Sequence, residues 1–174
     1  MFEIGQVVVY TTYGVCKINS VTSMSFSGQT IDYYILKPLK EAKTELTVPI
    51  DNPITLARLH ELLTKDEVSD LLDQIPGMDT FWIENDNLRK KEFSEIIKRG
   101  NRKETIKMLK SIRYHQLSLR NKARKLHAVD EQAMKEAFKL IVDEFSYVLD
   151  ANPLELRDKI DNDIIISYEE KELN

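Results

Sequence analysis

Residues 2–18 read FEIGQVVVYTTYGVCKI. β-Branched and aromatic side chains crowd Val7-Val8-Val9-Tyr10, and Gly14 separates them from a second run. There Val15, Lys17 and Asn19 alternate with Cys16 and Ile18. Two such runs around a glycine read as neighbouring strands. The same grammar continues outward, with IDYYILK at 31–37 and ELTVP at 45–49. Ser27-Gly28 and Pro38 supply the turns, and Pro49 ends the last strand or places it at an edge. Four short strands before residue 50 predict a small twisted sheet or a partly closed barrel, since short strands close into barrels to hide their edges.

Beyond residue 60 the period changes from two to that of a helix. Thr64 and Glu67 have capping-box spacing, with Val68, Leu71, Leu72 and Ile75 behind them as an apolar stripe and Pro76-Gly77 as its stop. Leu88, Phe93, Ile96 and Ile97 mark a second helix ending at Gly100. Ile106, Leu109 and Ile112 mark a third, and Ala133, Phe138, Ile141, Val142, Phe145 and Val148 a fourth. Asn152-Pro153 opens a short fifth helix, and the acidic tail after Ile160 is expected to fray or dock weakly. The stretch IDNPITLARLHELL reads either as a strand end and linker or as the start of the helical part. The predicted class is α+β: a small N-terminal barrel over residues 1–60 and an all-α bundle over 61–174.

The chain has 174 residues, 42% of them hydrophobic and 31% charged, which predicts a folded, soluble protein. The N-terminus lacks a basic stretch followed by an apolar one, and no apolar run is long enough to span a bilayer, so a cytoplasmic location without membrane contact is expected. Cys16 is alone, which fits a reducing compartment. The three histidines, His60, His115 and His127, are far apart. No zinc-ligand spacing, phosphate loop or nucleophile elbow is present. Neither an enzyme nor a cofactor or metal site is therefore expected.

The net charge of −4 hides an asymmetry: residues 87–127 hold 14 basic and 3 acidic side chains. Lys and Arg clustered on helical faces neutralise phosphates and bind duplexes without reading sequence. The clusters are Arg89-Lys90-Lys91, Lys98-Arg99, Arg102-Lys103 and, between 120 and 125, Arg120, Lys122, Arg124 and Lys125. The only tryptophan, Trp82, stands just before them and admits two readings. On an unbroken helix with Leu88 at 0°, it would fall near ~120°, inside the apolar stripe, but Arg89 at ~100° would fall there too. If Asn85, Asp86 or Asn87 instead caps the helix, Trp82 precedes it and lies beside the basic surface.

These features together resemble the CarD/CdnL family of bacterial RNA polymerase-binding transcription regulators, whose N-terminal module also occurs in the transcription-repair coupling factor. MFEIGQVVVYTTYGVCKI at 1–18 is similar to that module's opening. FSGQTIDYYILK at 26–37 resembles its hairpin, and LTVPIDN at 46–52 its closing segment. AVDEQAMKEAFKLIVDEFSYVL at 128–149 resembles the family's last helix, so the likeness runs to about residue 150. The resemblance implies a Tudor/SH3-like barrel that docks on the β1 lobe of the polymerase β subunit, through Met24, Phe26, Leu46, Thr47, Val48 and Pro49. Met24 and Thr47 stand where some relatives carry arginines.

The resemblance further implies a helical module on promoter double-stranded DNA, near the upstream edge of the −10 element. There Trp82 would wedge into the minor groove, and Arg89, Lys90, Lys91, Lys98, Arg99, Arg102, Lys103, Arg120, Lys122, Arg124 and Lys125 would meet phosphates and stabilise the open complex. Counted back from Gly100, Trp82 lies about one helical turn upstream of the family's tryptophan, and Asp86 takes that place. A monomer is expected. Two alternatives remain open: a relative that keeps polymerase docking while its helices bind another protein, and a general nucleic-acid-binding protein with an SH3-like domain.

Overall fold

The opening run forms β1 (Val7–Tyr10), which pairs antiparallel with β2 (Gly14–Phe26). β2 pairs with β3 (Gln29–Pro38), and β3 with β4 (Leu46–Pro49). A computed structural model describes every residue except 12, 42 and 174. The chain divides into two compact units, Met1–Leu62 and Leu63–Asn174.

In the first unit the ambiguous stretch after residue 50 resolves into two elements. Asn52 caps a single helical turn, α1 (Pro53–Leu56), by accepting from the Ile54 and Thr55 N–H groups, with Pro53 at the first helical position. The chain then forms a fifth strand, β5 (Leu59–Glu61), on the free side of β1. The sheet order is β4-β3-β2-β1-β5. β4 and β5 are its two edges, so the ladder is open where closure into a barrel was expected. Directly opposed residues share a face. Val8 opposes Cys16, Ile18 opposes Leu36 and Tyr34 opposes Val48, and all six are buried with Leu59 in one apolar cluster. The Phe2 N–H donates to the Tyr34 hydroxyl at 3.0 Å, which satisfies that buried phenol.

Two backbone features shape the β2–β3 hairpin. Register slips between Ile18 and Ser20, leaving Asn19 as a β-bulge. At the tip, Ser27 (φ 51) and Gly28 (φ 82) both occupy the left-handed region, the conformation of a tight two-residue hairpin turn. Beyond the bulge, Tyr33, Ile35, Thr22, Met24, Phe26 and Ile31 lie on the face opposite the core, together with Thr47 and Pro49 of β4.

The second unit is helical: α2 (Lys65–Gln74), α3 (Asp86–Arg99), α4 (Arg102–Arg120), α5 (Ala128–Leu149) and α6 (Pro153–Glu172). The expected capping box opens α2. The Thr64 hydroxyl accepts from the Glu67 N–H at 3.2 Å, and the Glu67 carboxylate accepts from the Thr64 N–H at 2.7 Å. Asn85 caps α3, Gly100 (φ 67) ends it in the left-handed region, and Asn101 caps α4. Phe93, Ile106, Leu109, Ile112, Ala137, Phe138, Ile141 and Phe145 belong to one core.

Two expectations are corrected. Leu88, read as part of the α3 stripe, is 60% exposed, and the buried residues of that helix are Arg89, Phe93 and Ile96. The tail after Ile160 continues α6 instead of fraying. Leu156, Ile160, Ile164 and Ser167 recur at helical spacing and are buried. Arg113 grips Asp161 with two hydrogen bonds of 2.7 and 2.9 Å, and the Tyr114 hydroxyl donates to Ser167 at 2.9 Å, so α6 is tied to α4.

Candidate nucleic-acid and partner interfaces

The basic window of 87–127 divides into cations that hold the bundle together and cations that face solvent. Arg89 belongs to the first group. It is 4% exposed, and its Nε and Nη2 donate to the two oxygens of Asp130 at 2.9 and 2.8 Å. Nη2 also reaches Asp86 at 2.9 Å, and Nη1 donates to the Ile83 carbonyl at 2.7 Å. The hydrogen bonds that Arg89 donates to Asp130 hold its guanidinium above its ordinary pKa, against the opposing effect of burial. Its donors are committed inside the fold, so Arg89 is withdrawn from the phosphate-contacting set.

Arg102 is withdrawn for the same reason. Its Nε and Nη2 donate to the buried Glu144 carboxylate at 2.8 and 2.9 Å, and one of those Glu144 oxygens also accepts the Leu63 N–H at 3.0 Å. Lys110 is 2% exposed and donates to the carbonyls of Ile75, Pro76 and Met78, which closes the C-terminal end of α2. Burial lowers its pKa, but three carbonyl acceptors satisfy the ammonium where it sits.

Trp82 is half-buried and packs against the bundle core. Its ring stacks on His115 with centroids 3.7 Å apart and planes 13° from parallel. The Arg89 guanidinium carbon lies 4.4 Å from the ring centroid, and Phe93 meets the ring edge-on at 6.2 Å. A cleft of about 260 Å³ borders the stack and is lined in part by Thr80, Ser111, Ser118 and Lys171. Burial pushes the His115 imidazole below its ordinary pKa, and the nearby Arg89 charge pushes the same way. Trp82 therefore does precede the capped helix, and it also packs, two readings that the sequence had set against each other.

Lys90, Lys91, Lys98, Arg99 and Lys103 are exposed on α3 and the first turn of α4. Lys98 pairs with Glu95 at 3.0 Å, and Arg99 with Glu92 and Glu104 at 3.0 and 3.2 Å. Such half-exposed pairs contribute little to stability and open readily. Arg120, Lys122, Arg124 and Lys125 are exposed at the turn between α4 and α5. Ala123 (φ 55) reverses the chain there, and the Arg124 N–H returns to the Leu119 carbonyl at 2.9 Å, which fixes the backbone beneath these side chains.

In the first unit, Met24 and Phe26 are 45% and 81% exposed near the tip of the hairpin. Thr47 is exposed on edge strand β4, Leu46 and Pro49 are half-buried, and Val48 is buried in the core. Val48 is thereby corrected: its side chain faces the core, and only its backbone lies along an edge. Sequence reasoning did not find Asp130 or Glu144, the two buried acids that neutralise Arg89 and Arg102. The signal for Glu144 lay in the run IVDEF, where Asp143 and Glu144 interrupt an apolar stripe.

No helix among the described residues is long and apolar enough to cross a membrane. No group of three or more His, Cys, Asp or Glu among them could hold a metal ion. A comparison with curated proteins finds no match. Residues 2–59 match the family model of the CarD-like/TRCF RID domain. That span covers β1 to β4, α1 and the start of β5. Over that span the N-terminal unit is similar to the CarD-like/TRCF RID domain, the module named in the resemblance above.

Proposed function

We propose that this protein is a non-enzymatic bacterial transcription regulator, with its N-terminal unit docking on the β1 lobe of the RNA polymerase β subunit and its helical unit contacting promoter DNA near the upstream edge of the −10 element. The observation that carries the reading is the match over residues 2–59 to the CarD-like/TRCF RID domain. The sheet adds a physical route. β4 is an edge strand with one side unpaired among the described residues, and an extended strand of a partner can join it by backbone hydrogen bonding. Met24, Phe26, Thr47 and Pro49 share the face beside that edge and supply apolar and small polar contacts.

On the helical unit the proposed phosphate-binding set is Lys90, Lys91, Lys98, Arg99 and Lys103, with Arg120, Lys122, Arg124 and Lys125 at the α4–α5 turn as the densest group. Such contacts position a duplex without reading bases. Trp82 can enter the groove only by leaving His115 and Arg89, so its first role in this reading is packing. The rival, in which the helices bind a protein instead, is favoured by the acidic face that Glu169, Glu170 and Glu172 give the end of α6.

Pull-down of the full chain with the isolated β1 lobe tests docking, and absence of binding at micromolar protein refutes it. Open-complex lifetime on a weak promoter, with and without the protein, tests the outcome at DNA. An unchanged lifetime with docking intact favours the rival.

A further inference from the structure

The β2–β3 hairpin extends past the strands that flank it. β1 pairs with β2 only from Gly14 to Lys17, and the last backbone bonds on that side join Ile18 to Gly5 and Gln6. From Ser20 to Phe26 the outer side of β2 therefore carries no ladder among the described residues. This edge is chemically unusual for the chain. No charged residue occurs from Ile18 to Ile31, although 31% of the sequence is charged, and no proline interrupts that span. Natural edges are blunted by lysine, proline or inward-pointing charge. Here the only such device is the bulge at Asn19, which lies at the base of the arm and leaves the rest unprotected.

We propose that this edge of β2 pairs antiparallel with the same edge of a second copy of the chain. Three observations favour a second copy as the occupant. First, a strand without charge meets its own image with no like-charge opposition, and the N-terminal unit is nearly neutral, with 5 basic and 6 acidic residues in 1–62. Second, a two-stranded ribbon is marginal in water, whereas two of them joined give a four-stranded sheet β3-β2-β2-β3. Third, a register centred on one residue of the strand, such as Ser23, opposes residues of the same face. Thr22 then lies across from Met24, and Ser20 from Phe26. Met24 and Phe26 of both copies come onto one side, where each Met24 lies diagonal to its counterpart and each Phe26, 81% exposed in the single chain, is covered by Ser20 and Thr22 of the other copy. The contact is isologous and closes at two chains.

This edge lies on the β1 side of the sheet, whereas the proposed polymerase contact lies along β4 on the other side. The two contacts thus use different backbone edges, while the Met24 and Phe26 side chains are common to both.

Light scattering on the full chain, read as mass against concentration, tests the pairing. The mass is expected to rise from one chain to two through the micromolar range. Thr22→Glu and Thr22→Lys are each expected to remain single chains, and their equimolar mixture to regain the doubled mass. That recovery also shows that both variants are folded. A wild type that stays single at every concentration overturns the proposal, as does a dimer untouched by Thr22→Glu. An arm that pairs only with a strand of another protein gives the first of these results. Binding of the Thr22→Glu variant to the isolated β1 lobe, measured in parallel, keeps failure of pairing distinct from failure of docking.

Discussion

Arg89 and Asp130 meet through two parallel hydrogen bonds of 2.9 and 2.8 Å, with both side chains almost sealed from solvent. The pair joins the first turn of α3 to the first turn of α5 and holds the guanidinium beside Trp82. Removing one partner of such a pair leaves a buried charge uncompensated, which costs about 3–5 kcal/mol. Asp130→Ala is expected to lose about 3 kcal/mol in urea unfolding, at the low end because Asp86 and the Ile83 carbonyl still accept from Arg89. The double variant Arg89→Met/Asp130→Leu is expected to recover most of that loss. A loss below ~1 kcal/mol for Asp130→Ala would show that the pair contributes little.

The Trp82–His115 stack predicts a pH dependence. The folded-state pKa of His115 is lowered, so the unfolded chain binds the proton more tightly. The resulting stability is fully present above the unfolded value of about 6.5 and is lost as pH falls through it toward the lower folded value. Arg89, Asp130, Glu84 and His127 are the charged or titratable groups that act on His115, and the two acids oppose the shift. His115→Gln is expected to flatten the stability profile between about pH 5 and 7 relative to wild type. Trp82 fluorescence provides a local reading of the same transition.

The α4–α5 turn predicts a salt signature. Each phosphate contact contributes about 0.9 to the slope of log affinity against log salt on duplex DNA. Replacing Arg120, Lys122, Arg124 and Lys125 by Gln is expected to reduce that slope by up to ~3–4, and replacing Lys90 and Lys91 by no more than ~2. Arg89→Lys, by contrast, should leave the slope unchanged while lowering the melting temperature. A slope that drops only in the last variant would reverse the assignment of buried and solvent-facing cations.

The last helix predicts that the acidic end of the chain matters for folding. Ile160 and Ile164 are buried without measurable exposure. Ile164→Ala is expected to cost about 2–4 kcal/mol, in the range of buried large-to-small changes. A tail that docked weakly would lose less than ~1 kcal/mol on the same substitution.

Much of the architecture was legible in local signals. Thr64 and Glu67 announced α2, the group Asn85, Asp86 and Asn87 together with Gly100 bracketed α3, and Asn152-Pro153 opened α6, because caps act over three or four residues and need no tertiary knowledge. β5 was missed because three residues pairing with β1 carry no periodicity of their own. The length of α6 was missed because acidic residues surround Ile160 and Ile164, and charge hid the spacing of its buried face. The basic window misled for a different reason. Composition counts charges but not partners, and Asp130 and Glu144 are 41 and 42 positions away from the cations they neutralise. Arg89 did give a hint, since its wheel angle already placed it inside the apolar stripe.

The bulge at Asn19 has a consequence for the whole arm. Even-numbered residues of β2 face the core up to Ile18, and strict alternation would carry Met24 and Phe26 to that same side. One unpaired residue reverses the parity of everything beyond it. What the hairpin presents to the outside is thus decided by a count made at its base, several residues before the side chains concerned.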